Sequence, residues 1–234
     1  MKYIAKTEAP ACLRDWINTQ LGMEVPVNVT YDAFPCKKEL LGELTNEQYS
    51  LCGYTGAPVD KGRVSGLKNS TDSSACFRNH IEHLKSQEDC KQKVRSAGQS
   101  YGSCLGDDLN YHNMIAALEV KGSEGEQFGA VIKKNKTLPV LPTSSKCHDH
   151  FSYREDGGVD GRTEAGSAAI SILNLDHPTL CGWRQNAIDA WLDAEILQSR
   201  EDFDAVISAI RTVVDDRLPE FAFVIEDIAL RYLE

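Results

Sequence analysis

The chain is short of positive charge. It carries 25 Lys and Arg against 35 Asp and Glu, a formal net charge of −10. A protein that grips nucleic acid alone usually shows a basic balance or a basic stripe. Either a basic face is local here, or a partner supplies the phosphate contacts. Long apolar runs are missing too: none approaches the roughly 20 residues that span a bilayer. The opening Met1-Lys2-Tyr3-Ile4-Ala5-Lys6 has a charge but no apolar h-region, so it does not read as a secretory signal. A cytoplasmic setting without a membrane partner is expected. The eight cysteines form no C-x-x-C pair, which argues against structural zinc. A reducing compartment argues against disulfides, and buried free thiols are the plain expectation. Internal repeats and low-complexity tracts are also lacking.

What is present suits one globular domain: 234 residues, 41% hydrophobic and 26% charged, enough to bury a core. Leu13, Trp16, Ile17 and Leu21 have helical spacing, with Gly22 as a stop signal. Residues 25–36 read as extended, and Leu40, Leu41 and Leu44 mark a helix over 37–49. The stretch 51–59 reads as a hairpin or sharp turn, and 60–75 as an exposed loop. Glycine-broken 85–108 reads as a long insertion, 109–120 as a short helix, and 147–161 as one strand with a Gly-rich turn. The last third is helical: 164–175, 179–200, 202–211 and 219–233. Phe203, Val206, Ile207 and Ile210, then Phe221, Val224, Ile225 and Ile228, form apolar stripes that either pack on the rest or dock a partner.

Chemistry concentrates in Arg78-Asn79-His80-Ile81-Glu82-His83-Leu84-Lys85, followed later by Tyr111-His112-Asn113-Met114. Imidazole and carboxylate are metal ligands, and His is the usual base near neutral pH. In a strand His80 and Glu82 share a face; in a helix His80 and His83 do. The pattern alone leaves both open. The functional reading is a single-metal nuclease, with a neutral His taking a proton from water and Asn113 orienting it. The plain alternative makes His80 and His83 surface or satisfied structural histidines. His148 and His150 have strand spacing that would put them on one face, with Cys147 and Asp149 beside them. His112 faces the site or solvent, and His177, before Pro178, looks like a turn residue. Lys85, Lys91, Lys93 and Arg95, then Lys133, Lys134 and Lys136, are the local basic candidates. Among them Lys85, Lys133 and Lys134 are the expected substrate contacts.

The ordered series Glu47-Gln48-Tyr49-Ser50-Leu51-Cys52-Gly53-Tyr54-Thr55-Gly56, His80-Ile81-Glu82-His83-Leu84-Lys85 and Tyr111-His112-Asn113-Met114 resembles the HNH endonuclease family that includes PtuB. PtuB is the nuclease of Septu and of some retron anti-phage systems. Phe128-Gly129-Ala130 with Lys133-Lys134, Leu138-Pro139 with Leu141-Pro142, Cys147 to Tyr153 with Gly157, and Ile172 to Leu175 with Arg184 extend the likeness over roughly residues 35–190. The resemblance implies an α+β fold: a small ββα-metal (HNH) core within a mainly helical single domain. Its parts would be an N-terminal helical segment 1–48, the nuclease core 49–162 and a helical region 163–234. It makes His83 the general base, Asn113 the residue that orients it, and Glu82 a ligand of a divalent metal, Mg²⁺ or alternatively Mn²⁺. His80 or water would complete the shell, because Phe128 to Lys134 offers no His or Asn ligand. Thr55 stands where relatives have a second cysteine. The implied activity is hydrolysis of DNA, or of RNA including tRNA. The implied partner is the ABC-type ATPase PtuA, joined in retron systems by a reverse transcriptase and its msDNA. A catalytically decayed scaffold subunit of such a complex is the competing reading.

Overall fold

The computed structural model describes residues 1–24, 28–68, 76–193 and 195–233. It is an α+β protein whose helices surround two small antiparallel sheets. The helices are α1 (Ala11–Leu21), α2 (Lys37–Glu47), α3 (Lys61–Val64), α4 (Gln87–Ser96), α5 (Ala130–Lys133), α6 (Glu164–Leu173), α7 (Pro178–Trp191), α8 (Arg200–Arg211) and α9 (Ala222–Arg231). Strands β1 (Cys76–His83) and β2 (Met114–Lys121) form one pair; β3 (Phe151–Tyr153) and β4 (Val159–Gly161) form the other. The expected extended stretch falls partly on 25–27, and the expected loop partly on 69–75; those positions lie outside the described residues. Among the described residues no helix is long and apolar enough to cross a membrane.

The β1–β2 pair is the centre. Its register runs from Cys76 opposite Lys121 to His83 opposite Met114. Met114 to Leu118 are all buried, so the strand shows a continuous apolar run rather than alternation. That explains why 109–120 reads as a helix but folds as a strand. Met, Ala and Leu are good helix formers, and tertiary pairing overrides so weak a preference. The other edge of β2 is covered by Gln48, just past α2. Its side-chain nitrogen donates to the Ala116 carbonyl (2.8 Å), and the Ala116 amide donates to its oxygen (2.7 Å). An exposed strand edge is thereby satisfied.

Other elements differ from expectation as well, among them α3, which places a short helix with buried Val64 in the expected loop. The insertion 85–108 contains α4, started by Ser86, whose hydroxyl accepts from the Asp89 amide, a capping arrangement. Only Cys90 and Val94 of α4 are buried, too few to signal a helix. The helix expected over 179–200 stops at Trp191. The Asp193 carboxylate accepts from the Glu195 amide (2.8 Å), a side-chain turn that competes with helix. Residues 147–161 hold two strands instead of one. Gly157, in the turn between them, has φ +78°, and a Cβ there would lie 2.0 Å from the Cys181 carbonyl oxygen. Only glycine fits so close an approach.

One apolar cluster runs through the molecule, joining Leu13, Leu40, Leu118, Leu173, Ile188 and Ile228. The apolar stripes of the last third pack inward: Val224 and Ile228 enter this cluster, and Ile210 and Ile225 form a second one with Leu51. Arg184 is buried within this region and donates to the Gly157 and Leu175 carbonyls (3.1 and 2.8 Å). Cys52, Cys90 and Cys147 are buried free thiols, whereas Cys76 is exposed.

Candidate active site at the end of the first strand

The chemistry-rich stretch is β1 itself, so alternation decides which side chains meet. His80 and Glu82 share a face, and His80 Nε2 lies 3.6 Å from Glu82 Oε2. His83, the last residue of the strand, points to the other face and is only 5% exposed. Glu82 and His83 are thus neighbours in sequence with separate surroundings.

His83 is held by the loop between the strands. Its Nε2 lies 2.9 Å from the Asp108 carbonyl oxygen. A carbonyl only accepts, so Nε2 carries the proton and Nδ1 is the bare nitrogen. The Tyr31 ring meets the imidazole edge-on, with centroids 4.5 Å apart at 84°. Burial lowers the His83 pKa most, opposed by the Asp108 carbonyl and the charges of Glu82 and Asp108. The ring is therefore neutral at pH 7, the state a base requires.

The side-chain hydrogen bonds of Asn113 go not to His83 but to the loop that holds it. Asn113 Oδ1 accepts from the Lys85 amide (2.8 Å), and its Nδ2 donates to the Lys85 and Asp107 carbonyls (both 3.1 Å). The strand end and the residue before Asp108 are thereby tied together. Asp108 is fully buried, and its Oδ2 accepts from the Tyr31 amide (2.9 Å) and the Tyr101 hydroxyl (2.6 Å). The expected orienting role of Asn113 is exerted through this backbone, two steps removed from the ring.

The other face is closed by a lysine. Lys133, at the end of α5, was expected at the surface as a substrate contact; instead it is 1% exposed. Its Nζ donates to Glu82 Oε1 (2.8 Å), the His83 carbonyl (3.0 Å) and the Lys134 carbonyl (3.4 Å). An ammonium has three protons, and all three are used. Lys133 therefore has no proton left for a phosphate. Lys134 is exposed. Lys85 pairs with Asp107 (3.2 Å) and lines a groove of about 590 Å³ with Asp107, His112, Asn113 and Leu138.

These residues do not fit the divalent ion that the sequence resemblance implies. An ion on Glu82 Oε1, the oxygen that Lys133 holds at 2.8 Å, would stand within about 4–5 Å of the ammonium, a repulsion of order 7–8 kcal/mol at an effective dielectric near 20. Tyr54, fully buried beside Glu82, is no substitute ligand. Burial first, then the charge of Glu82, keeps that phenol protonated. Among the described residues no three His, Cys, Asp or Glu side chains stand together as a cation site.

His148 and His150 belong to a 3-10 turn, Cys147–His150, not a strand. His148 Nε2 lies 3.1 Å from Asp149 Oδ1, and His150 Nδ1 lies 2.7 Å from Thr163 Oγ1. His177 caps α7, its ring accepting from the Thr179 amide. Sequence reasoning passed over Tyr31, Asp108 and Tyr54. Tyr31 lies 77 residues from the Asp108 carboxylate that holds its amide, and no local spacing marks such a pair. No protein-family model and no curated protein matches the chain.

Proposed function

We propose that the chain is an HNH-type endonuclease that hydrolyses phosphodiester bonds, the effector of an ATPase-gated anti-phage complex. The observation that carries this reading is the setting of His83. It is neutral, ends the first strand of an antiparallel pair, and rests its Nε2–H on Asp108. Asn113 clasps the same loop. The order β1, Asn113, β2 and the short helix α5 supports a ββα core. In the reaction His83 Nδ1 accepts a proton from water as the water oxygen attacks phosphorus. The opposite P–O bond breaks, and the departing oxygen takes a proton from solvent. Nothing in this step needs a 2′-hydroxyl, so DNA is the first substrate and RNA, tRNA included, the second.

The need for a partner has its own support. Lys85 and Lys93 pair with Asp107 (3.2 and 2.8 Å), Lys91 with Asp32 (3.9 Å) and Arg95 with Glu88 (4.0 Å). Four basic side chains thus face three acids, with Asp107 shared by two of them, which leaves little net positive charge on this face for phosphate. An ATPase of the PtuA class would supply the missing basic surface and uncover His83. The test is cleavage of plasmid DNA and of tRNA by the assembled complex. His83→Ala is expected to abolish cleavage while leaving assembly intact; undiminished cleavage removes His83 from the mechanism.

A scaffold reading is favoured by one observation, the occupation of Glu82 by Lys133. A complex that assembles but cuts neither polymer, with every nucleotide and metal supplied, would establish it.

A further inference from the structure

The Glu82 face of β1 already contains a cation. Lys133 Nζ makes contacts of 2.8, 3.0 and 3.4 Å with three oxygens, from the Glu82 side chain and the His83 and Lys134 backbones. The cage is buried at the lysine end, where the residue is 1% exposed, and nearly so at Glu82, whose side chain is 14% exposed. Two other polar groups adjoin the carboxylate: His80 Nε2 lies 3.6 Å from Glu82 Oε2, and the buried Tyr54 phenol lies within reach of the Glu82 charge. Two of the three oxygens are backbone carbonyls, so the cage is built largely by the chain path, with α5 placing the lysine. Gly129 makes that placement possible. Its φ is +70°, and it turns the chain into α5 immediately after Phe128.

We propose that the Lys133 ammonium is the resident cation of this site and excludes a divalent ion from Glu82. The proposal deepens the nuclease reading, which is what makes a metal expected here. Its test does not use cleavage, so the two can fail separately. A protein that cuts nothing can still show the exclusion, and a protein that cuts can still lack it.

The experiment is Mn²⁺ binding to the full-length protein, followed by electron paramagnetic resonance of free Mn²⁺ and by thermal shift. Wild type and Glu82→Gln are expected to bind Mn²⁺ equally weakly, and excess chelator is expected to leave the melting temperature of each where it was. Lys133→Asn replaces the ammonium with an oxygen donor and removes the repulsion. It is expected to bind Mn²⁺ at least ten-fold more tightly than wild type, a gain abolished in the Glu82→Gln/Lys133→Asn double variant. Saturable binding by wild type that Glu82→Gln weakens ten-fold would overturn the proposal. A folded Lys133→Asn protein with no gain would overturn it as well. If Lys133→Asn does not fold, Lys133→Gln, which offers the same amide oxygen on a longer side chain, is read against wild type and against its own double variant with Glu82→Gln in the same way.

Discussion

Glu82 and His83 are consecutive, yet β1 sends them into surroundings that act on charge in opposite senses. On the His83 side there is a carbonyl, a tyrosine edge and little water, and burial holds the imidazole neutral. On the Glu82 side a buried ammonium answers the carboxylate directly. Burial of a histidine is tolerable because its neutral form lies close to neutral pH. Burial of a carboxylate at pH 7 demands a counter-charge. One face of the strand is therefore arranged to accept a proton, and the other to hold the backbone that carries the acceptor. Lys133 links the two, since it also binds the His83 carbonyl.

The contrast is sharpest if the counter-charge is removed. Lys133→Met leaves Glu82 without its partner and is expected to cost about 3–5 kcal/mol, read by urea denaturation. Glu82→Gln/Lys133→Met removes both charges and is expected to recover most of that loss. A single variant as stable as wild type would mean that the Glu82 face needs no counter-charge, and the comparison breaks. The next largest effect belongs to the His83 side. Asn113→Ala deletes three hydrogen bonds between the strand end and the loop and is expected to cost about 2 kcal/mol. Amide exchange at Lys85 should rise with it, because its acceptor is gone. A loss of stability spread evenly over the molecule, with Lys85 no more exchangeable than its neighbours, would deny Asn113 its local role.

The local features of the fold were legible. The spacing of Leu40 and Leu44 marks α2, that of Val224, Ile225 and Ile228 marks α9, and the alternation of His80 and Glu82 allows the strand that forms. The site residues stood out for the same reason, since His, Glu and Asn of suitable chemistry lie close together in the chain. What escaped is non-local. Lys133 looked like one of a surface run because nothing near it in sequence carries the opposing charge; Glu82 is 51 positions away. Tyr31 and Asp108 act on His83 from two other parts of the chain. Residues 114–118 gave the wrong element because their buried strand has no polar face to betray its period. In each case the deciding partner is brought in by packing, which no window of neighbouring residues contains.

The smallest effect tests the neutral side by pH. The folded-state pKa of His83 lies below its unfolded value of about 6.5, so between those two values the unfolded chain binds more protons than the folded one. Stability from this group is complete above about pH 6.5 and is lost as pH falls toward the folded value. Below the folded value both states are protonated, and no further loss accrues. The size is limited because burial is opposed by the Asp108 carbonyl and by two nearby acids. Wild type should therefore lose stability on mild acidification that His83→Gln does not lose, when both are measured by denaturant titration across pH 7 to 5. Parallel curves would mean that His83 ionises as readily in the fold as outside it. The neutral base would then have no basis, whatever the Glu82 side is found to hold.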